Sequence, residues 1–231
     1  MPLPERIDAV LCDVGGPVYT DDNFLWATRR ALDEARAARD LEPVETAAFM
    51  RVYDAAVKAQ DVSIRRALAT EFLGDPNLKQ ELSERIGPYW THPVGTHFPD
   101  ALELFRTLHG RVRLAVVANQ EKSTVEALTR DGFADYIDVW GISAAVGYEK
   151  PSPEFFHWAL RECGSTPEHT VHIGNRLDTD VRPARSLGIG AVWVLRGEVP
   201  NPPTDEQLAE ADLVVPDLTS LADVILERAG S

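Results

Sequence analysis

At 231 residues the chain has room for one large domain or a core with a modest insert, and its 44% apolar content is enough for a buried interior. The formal net charge of -14 excludes the broad basic face that nucleic acid or an anionic membrane would need, so neither is expected as a partner, whereas a small anionic substrate remains compatible. No stretch approaches the roughly 18 apolar residues of a membrane span, and Met1–Pro4 run into Glu5 and Arg6 without the apolar segment of a secretory signal, so a cytoplasmic setting is expected.

Ile7–Asp13 (IDAVLCD) is a short apolar run ending at a carboxylate and a Gly-Gly-Pro turn, which predicts a buried strand followed by a loop. From about Asn23 to Trp90 the apolar residues recur at helical spacing, with breaks at Pro43, Gly74-Asp75-Pro76 and Gly87-Pro88. This predicts a block of about four helices. Beyond Pro99 the pattern alternates. Helices are expected over 100–108, 121–131, 153–163 and 179–187, and strands over 112–118, 136–142, 170–173 and 191–195. A short strand at 213–215 and a helix from Asp217 close the chain. Arg196–Pro203 reads as a loop, and Thr204 with Gln207 three residues on reads as a capping box. Such alternation predicts an α/β fold with a doubly wound, mostly parallel sheet. Cys12 and Cys163 fall in expected buried elements and read as reduced thiols.

In open α/β sheets ligands bind beyond the carboxyl ends of the strands. Asp13 follows the first expected strand, Asn119 follows VRLAVVA, and Asn175 follows VHIG. Lys150 lies in a later loop, just before Pro151. A carboxylate at such a strand end is costly to bury alone, and a nearby lysine or bound cation would offset that cost.

This arrangement resembles the haloacid dehalogenase superfamily over nearly the whole chain. The first motif of that family, a strand ending Asp-x-Asp-Gly-Thr, reads here Asp13-Val14-Gly15-Gly16-Pro17-Val18. The second, a strand ending in Ser or Thr, reads Val116-Val117-Ala118-Asn119. The third is Lys150-Pro151-Ser152-Pro153. The fourth is Gly174-Asn175-Arg176-Leu177-Asp178-Thr179-Asp180 before Ala184-Arg185. The resemblance implies a core over 1–18 and 96–231, with a helical cap inserted over 19–95. It implies Asp13 as nucleophile and Lys150 as the cation that orients it. Gly15, Gly16, Ala118 and Asn119 are implied around the substrate, and Arg176, just after Asn175, either offers positive charge to an anionic substrate or serves on the surface. A magnesium site of Asp13, the Gly15 carbonyl, Asn175 and Asp180, with Asp178 as a substitute ligand, is implied in weakened form, because the first carboxylate of the family's fourth motif is here the neutral Asn175.

Three functions follow from the same residues. The first is a hydrolase, phosphatase-like, acting on a small phosphorylated or otherwise activated substrate through an Asp13 intermediate. The second is a non-catalytic protein that binds a phosphorylated ligand or a partner. The third is a metal-independent 2-haloacid dehalogenase, since halide leaves without a proton. Gly15 cannot supply the general acid that the family places there, which corresponds to about two to four orders of magnitude in rate. Asp21 or Asp22 could stand in for that acid or simply begin a helix. His172 is expected to be a core histidine. Phe24, Trp26, Tyr89 and Trp90 are expected either to pack the helical block or to line a pocket. Oligomeric state is not legible from the sequence.

Overall fold

The computed structural model describes residues 2–61 and 63–230. Its packing divides the chain into two compact units: Met1–Thr20, His92–Glu198 and Thr204–Ser231 form one, Asp21–Thr91 with Val199–Pro203 the other.

The first unit begins with β1 (Ala9–Cys12), buried at all four positions. An unbroken apolar run, rather than an alternating one, is what a strand covered on both faces requires. The chain then enters the second unit, built from α1 (Asp22–Ala37), α2 (Thr46–Ala59), α3 (Ile64–Leu73) and α4 (Lys79–Ile86), with a 3-10 turn at Pro76–Leu78. Ala27, Ala31 and Ala35 recur every four residues on α1 and are fully buried, so neighbouring backbones approach closely there. Leu32, Leu68 and Leu82 complete this interior with no exposure. Each contributes roughly 1.5–3 kcal/mol by leaving water. The breaks fall where the sequence predicts them: Gly74 ends α3 in the left-handed region at φ 76°, and Asp75 caps the following turn by accepting from the Asn77 N–H.

Back in the first unit the order is α5 (Pro99–Leu108), β2 (Arg113–Ala118), α6 (Ser123–Arg130), β3 (Val139–Ile142), α7 (Ser143–Val146), α8 (Pro153–Cys163), β4 (Thr170–Gly174), α9 (Arg182–Ser186), β5 (Gly190–Val194), α10 (Asp205–Leu208), β6 (Leu213–Val215) and α11 (Leu221–Leu226). The six strands form one sheet in the order β3-β2-β1-β4-β5-β6, and every pair is parallel. The sheet is therefore doubly wound, as expected from the alternation. The chain reverses its direction of travel across the sheet between β1 and β4, the place where such folds open a crevice. The capping box at Thr204 and Gln207 is present in both directions.

Three expected elements differ, among them the closing helix, expected from Asp217 and formed only from Leu221. The run 136–142 is a strand only from Val139, because a 3-10 turn at Ala134–Tyr136 brings Phe133 fully into the core. The helix expected over 179–187 starts as a wide π-type turn at Leu177–Val181, with regular helix only from Arg182. Wide turns of this kind re-aim side chains and occur often at functional sites.

The segments around residues 18–20 and 96–98 pair with each other: Thr20 N–H donates to the Thr96 carbonyl (3.0 Å) and Phe98 N–H to that of Val18 (2.8 Å). Here Tyr19 stacks on His92, ring centroids 4.3 Å apart, and gives its hydroxyl proton to Asp131 at 2.8 Å. His92 meets Gln120 Oε1 at 3.2 Å, and burial pushes its imidazole down to about 4. Among the described residues no helix is long and apolar enough to cross a membrane.

Candidate active site

β1 is the central strand of the trio β2-β1-β4, with Cys12 in register with Val116 on one side and Ile173 on the other. The residues that follow these three strands, Asp13, Asn119 and Asn175, are therefore delivered to the same edge of the sheet. The strand ladder carries one step past Cys12, since Asp13 N–H still donates to the Ile173 carbonyl at 2.9 Å. This fixes the backbone from which the Asp13 carboxylate projects.

Lys150 is 3% exposed, and its ammonium reaches two carboxylates: Asp180 Oδ1 at 2.5 Å and Asp13 Oδ1 at 3.0 Å. A buried ammonium needs such partners, because an unpaired charge in the interior is strongly unfavourable. Burial alone would lower the lysine, but the two carboxylates outweigh it and raise it above its ordinary value, so it stays charged. Burial pushes Asp13 up to about 6 against the opposing pull of Lys150, with the Asp180 charge adding to the rise. Asp180 is buried too, yet Lys150 and a hydrogen bond from His172 hold it well below the usual carboxylate range. The lysine is thus shared unequally, and Asp13 is the less stabilised of the two carboxylates.

Asn119 fixes the lysine's main chain. Its Nδ2 donates to the Lys150 carbonyl and its Oδ1 accepts from the Lys150 N–H, both at 2.7 Å. The amide expected to donate to a substrate is engaged at both ends by the loop that carries the lysine. Arg176 is similarly occupied: its guanidinium forks onto Asp178 with two bonds of 2.9 Å and reaches Glu198 at 3.4 Å. That pairing engages Asp178, the expected substitute ligand, with a guanidinium. Gly16 N–H closes the loop onto the Tyr19 carbonyl at 2.9 Å, and Ala118, fully buried, adds no polar group.

Two glycines make the packing possible. Gly16 has φ 85°, and a Cβ there would lie 2.0 Å from Asn175 Nδ2. At Gly174 a Cβ would lie 2.3 Å from Asp180 Cγ. The second contact explains how a side chain six residues downstream can fold back under the end of β4.

His172 is buried, as expected of a core histidine, and it also touches the charged group: its Nε2 lies 3.0 Å from Asp180 Oδ1. Burial outweighs that hydrogen bond and lowers the imidazole, so it stays neutral. The sequence held a signal for this contact. His172 and Gly174 share one face of β4, because side chains alternate along a strand, and that face must meet whatever Gly174 makes room for.

Several of the positions expected to hold magnesium are engaged by donors of the protein itself. Asp180 Oδ1 accepts from Lys150 and His172, while its Oδ2 accepts from the Arg176 N–H at 3.0 Å and the Thr179 hydroxyl at 3.3 Å. Asn175 donates its amide to the Arg196 carbonyl at 3.0 Å. Asp13 Oδ1 accepts from the Val14 N–H at 2.8 Å as well as from Lys150. Hard divalent cations need several free oxygen donors, and among the described residues no group of three or more His, Cys, Asp or Glu side chains is placed to hold one.

A family model described as haloacid dehalogenase-like hydrolase matches residues 7–188. The glyceraldehyde 3-phosphate phosphatase of Methanopyrus kandleri is 35% identical over 96% of this chain and 99% of its own length. The enzyme of the same name from Methanocaldococcus jannaschii is 34% identical, but the alignment spans 43% of this chain and 42% of that protein. Among solved structures, a HAD phosphatase from Thermococcus onnurineus superposes with a TM-score of 0.62 at 22% identity, covering 95% of this chain and 98% of the other. YfnB from Bacillus subtilis, solved bound to magnesium, gives 0.62 at 17% identity, covering 95% and 99%.

Proposed function

The chain belongs to the haloacid dehalogenase-like hydrolases, and we propose that within them it is a phosphatase that uses Asp13 as its nucleophile on a small phosphorylated substrate with a good leaving group. The observation that carries this reading is the buried Lys150 ammonium bridging Asp13 and Asp180 at the reversal point of the sheet, 3.0 Å and 2.5 Å from the two carboxylates. The full-length likeness to a phosphatase supports the choice of phosphoryl transfer.

Asp13 Oδ1 already accepts two hydrogen bonds, so Oδ2 is the oxygen that attacks. Its lone pair forms a bond to phosphorus while the bond from phosphorus to the leaving oxygen breaks and that oxygen takes the electron pair. A water molecule then attacks the phosphorus of the aspartyl phosphate, releasing inorganic phosphate and restoring the Asp13 carboxylate. Nucleophilic carboxylates of this kind split one hard displacement into two easier ones. Lys150 supplies fixed positive charge beside the group that accumulates negative charge, and Asn119 and Asp180 hold Lys150 in place. The helical unit, inserted in the chain between β1 and α5, is the element we assign to substrate selection.

Position 15 is glycine, so no side chain there protonates the leaving oxygen. The substrate must therefore carry a leaving group that departs as a weak base, such as an aryl oxide or a carboxylate. A series of aryl phosphates of graded leaving-group acidity tests this. The rate should rise steeply as the leaving group becomes more acidic, alkyl phosphates should turn over far more slowly, and Asp13→Asn should abolish every rate. Equal rates on alkyl and aryl phosphates would contradict the reading.

A further inference from the structure

We infer that the Asp13 centre operates without a divalent cation, its positive charge being supplied by Lys150. The inference rests on the hydrolase reading for its chemistry, although its test does not.

Four positions decide it. At 13, one carboxylate oxygen accepts from Lys150 and the Val14 N–H, leaving a single oxygen for any further partner. At 15 there is no side chain, only a backbone carbonyl. At 175 the side chain is selected for its donor end: Nδ2 gives its proton to the Arg196 carbonyl and packs over Gly16. A carboxylate at 175 would set its oxygen against that carbonyl, so this position is shaped for an amide. At 180 four donors meet the carboxylate. A carboxylate offers about four lone-pair sites, and Asp180 has all of its sites filled. A cation drawing on Asp180 would have to displace one of these donors, Lys150 or His172 from Oδ1, or the Arg176 N–H or the Thr179 hydroxyl from Oδ2. Asp178, the nearest other carboxylate in the motif, is forked onto Arg176. Magnesium is usually held through one or two carboxylates, with waters and phosphate oxygens completing its octahedron, and what remains here is one carboxylate oxygen beside two neutral donors, the Gly15 carbonyl and Asn175 Oδ1, so that a single negative charge would face the ion.

Lys150 replaces the missing charge in a form that cannot be removed. Its ammonium is buried, lies 2.5 Å from Asp180 and 3.0 Å from Asp13, and is anchored through its main chain by Asn119. A chelator therefore has nothing to take away.

The test is direct binding of the metal to the full chain stripped with EDTA. Mn²⁺ is titrated by electron paramagnetic resonance and Mg²⁺ by calorimetry, each with and without inorganic phosphate, on wild type and Asp13→Asn. The expected result is no stoichiometric site in wild type, or weak surface binding that Asp13→Asn leaves unchanged. One ion bound per chain and lost in Asp13→Asn, with circular dichroism showing that variant folded, would overturn the inference. Turnover of an aryl phosphate in excess EDTA should equal that in Mg²⁺. A protein inert towards every phosphate ester and also free of bound Mn²⁺ refutes the phosphatase reading while leaving the cation-free centre standing. Turnover that appears only when one Mn²⁺ is bound does the reverse.

Discussion

The Lys150 ammonium lies closer to Asp180 than to Asp13, 2.5 Å against 3.0 Å, and the two carboxylates behave differently because of it. Asp180 is held ionised by Lys150 and His172, whereas burial lifts Asp13 to about 6. Asp180 thus acts as the fixed counter-ion of the lysine, and Asp13 keeps one oxygen for chemistry.

Removing the lysine should expose this arrangement. Lys150→Met fills a similar volume but leaves Asp13 and Asp180 buried without their cation. Loss of one partner of a buried ion pair typically costs about 3–5 kcal/mol. Urea unfolding should show a lower midpoint at an unchanged m-value, and the additional change Asp180→Asn should recover part of the loss.

Gly174→Ala tests the approach of Asp180 to β4. The new methyl would lie 2.3 Å from Asp180 Cγ and 2.7 Å from its Oδ2, so the carboxylate must shift. Overpacking of this sort costs about 1–3 kcal/mol. Activity should fall as well, because displacing Asp180 frees Lys150 from its position. A variant with wild-type activity and stability would show that the close approach has no consequence.

His92 predicts a pH dependence of stability away from the site. Burial against Tyr19 pushes its imidazole down to about 4 from an ordinary 6.5. The unfolded chain therefore binds more protons than the folded one between these values. Stability is fully present above about 6.5 and declines as the pH falls towards 4, by up to about 3 kcal/mol for this group. The pH dependence of the urea midpoint between 4 and 7 should flatten in His92→Gln. An unchanged slope in that variant would assign the dependence to other groups.

The sequence made the scaffold legible because its signals are local. The apolar run before Asp13, the Gly74-Asp75-Pro76 break and the Thr204–Gln207 box each act within a few residues, and each has its counterpart in the structure. The convergence of Asp13, Asn119 and Asn175 at one sheet edge follows from parallel strands alone. What the sequence left unread was the use of each polar group. Asn119 and Arg176 have side chains suited to an anion, and nothing local states that their donors are engaged by Lys150, Asp178 and Glu198. Lys150 and Glu198 lie across loops whose paths only the fold fixes, and Asp178, two residues from Arg176, meets it through the wide turn that follows β4. Asp180 was expected to be a metal ligand on the strength of its motif position; of its four donors, Lys150 and His172 come from elsewhere in the chain, and the Arg176 N–H and the Thr179 hydroxyl from the wide turn that carries it.

The central claim is that Asp13 becomes covalently phosphorylated during turnover. The most direct measurement is acid quenching of wild-type protein during rapid hydrolysis of an aryl phosphate, followed by mass spectrometry of the intact chain and of the peptide that contains Asp13. The account predicts one phosphoryl group on that residue, absent in Asp13→Asn and chased away by hydroxylamine. Sustained phosphate release with no adduct at Asp13, retained by Asp13→Asn, would contradict it.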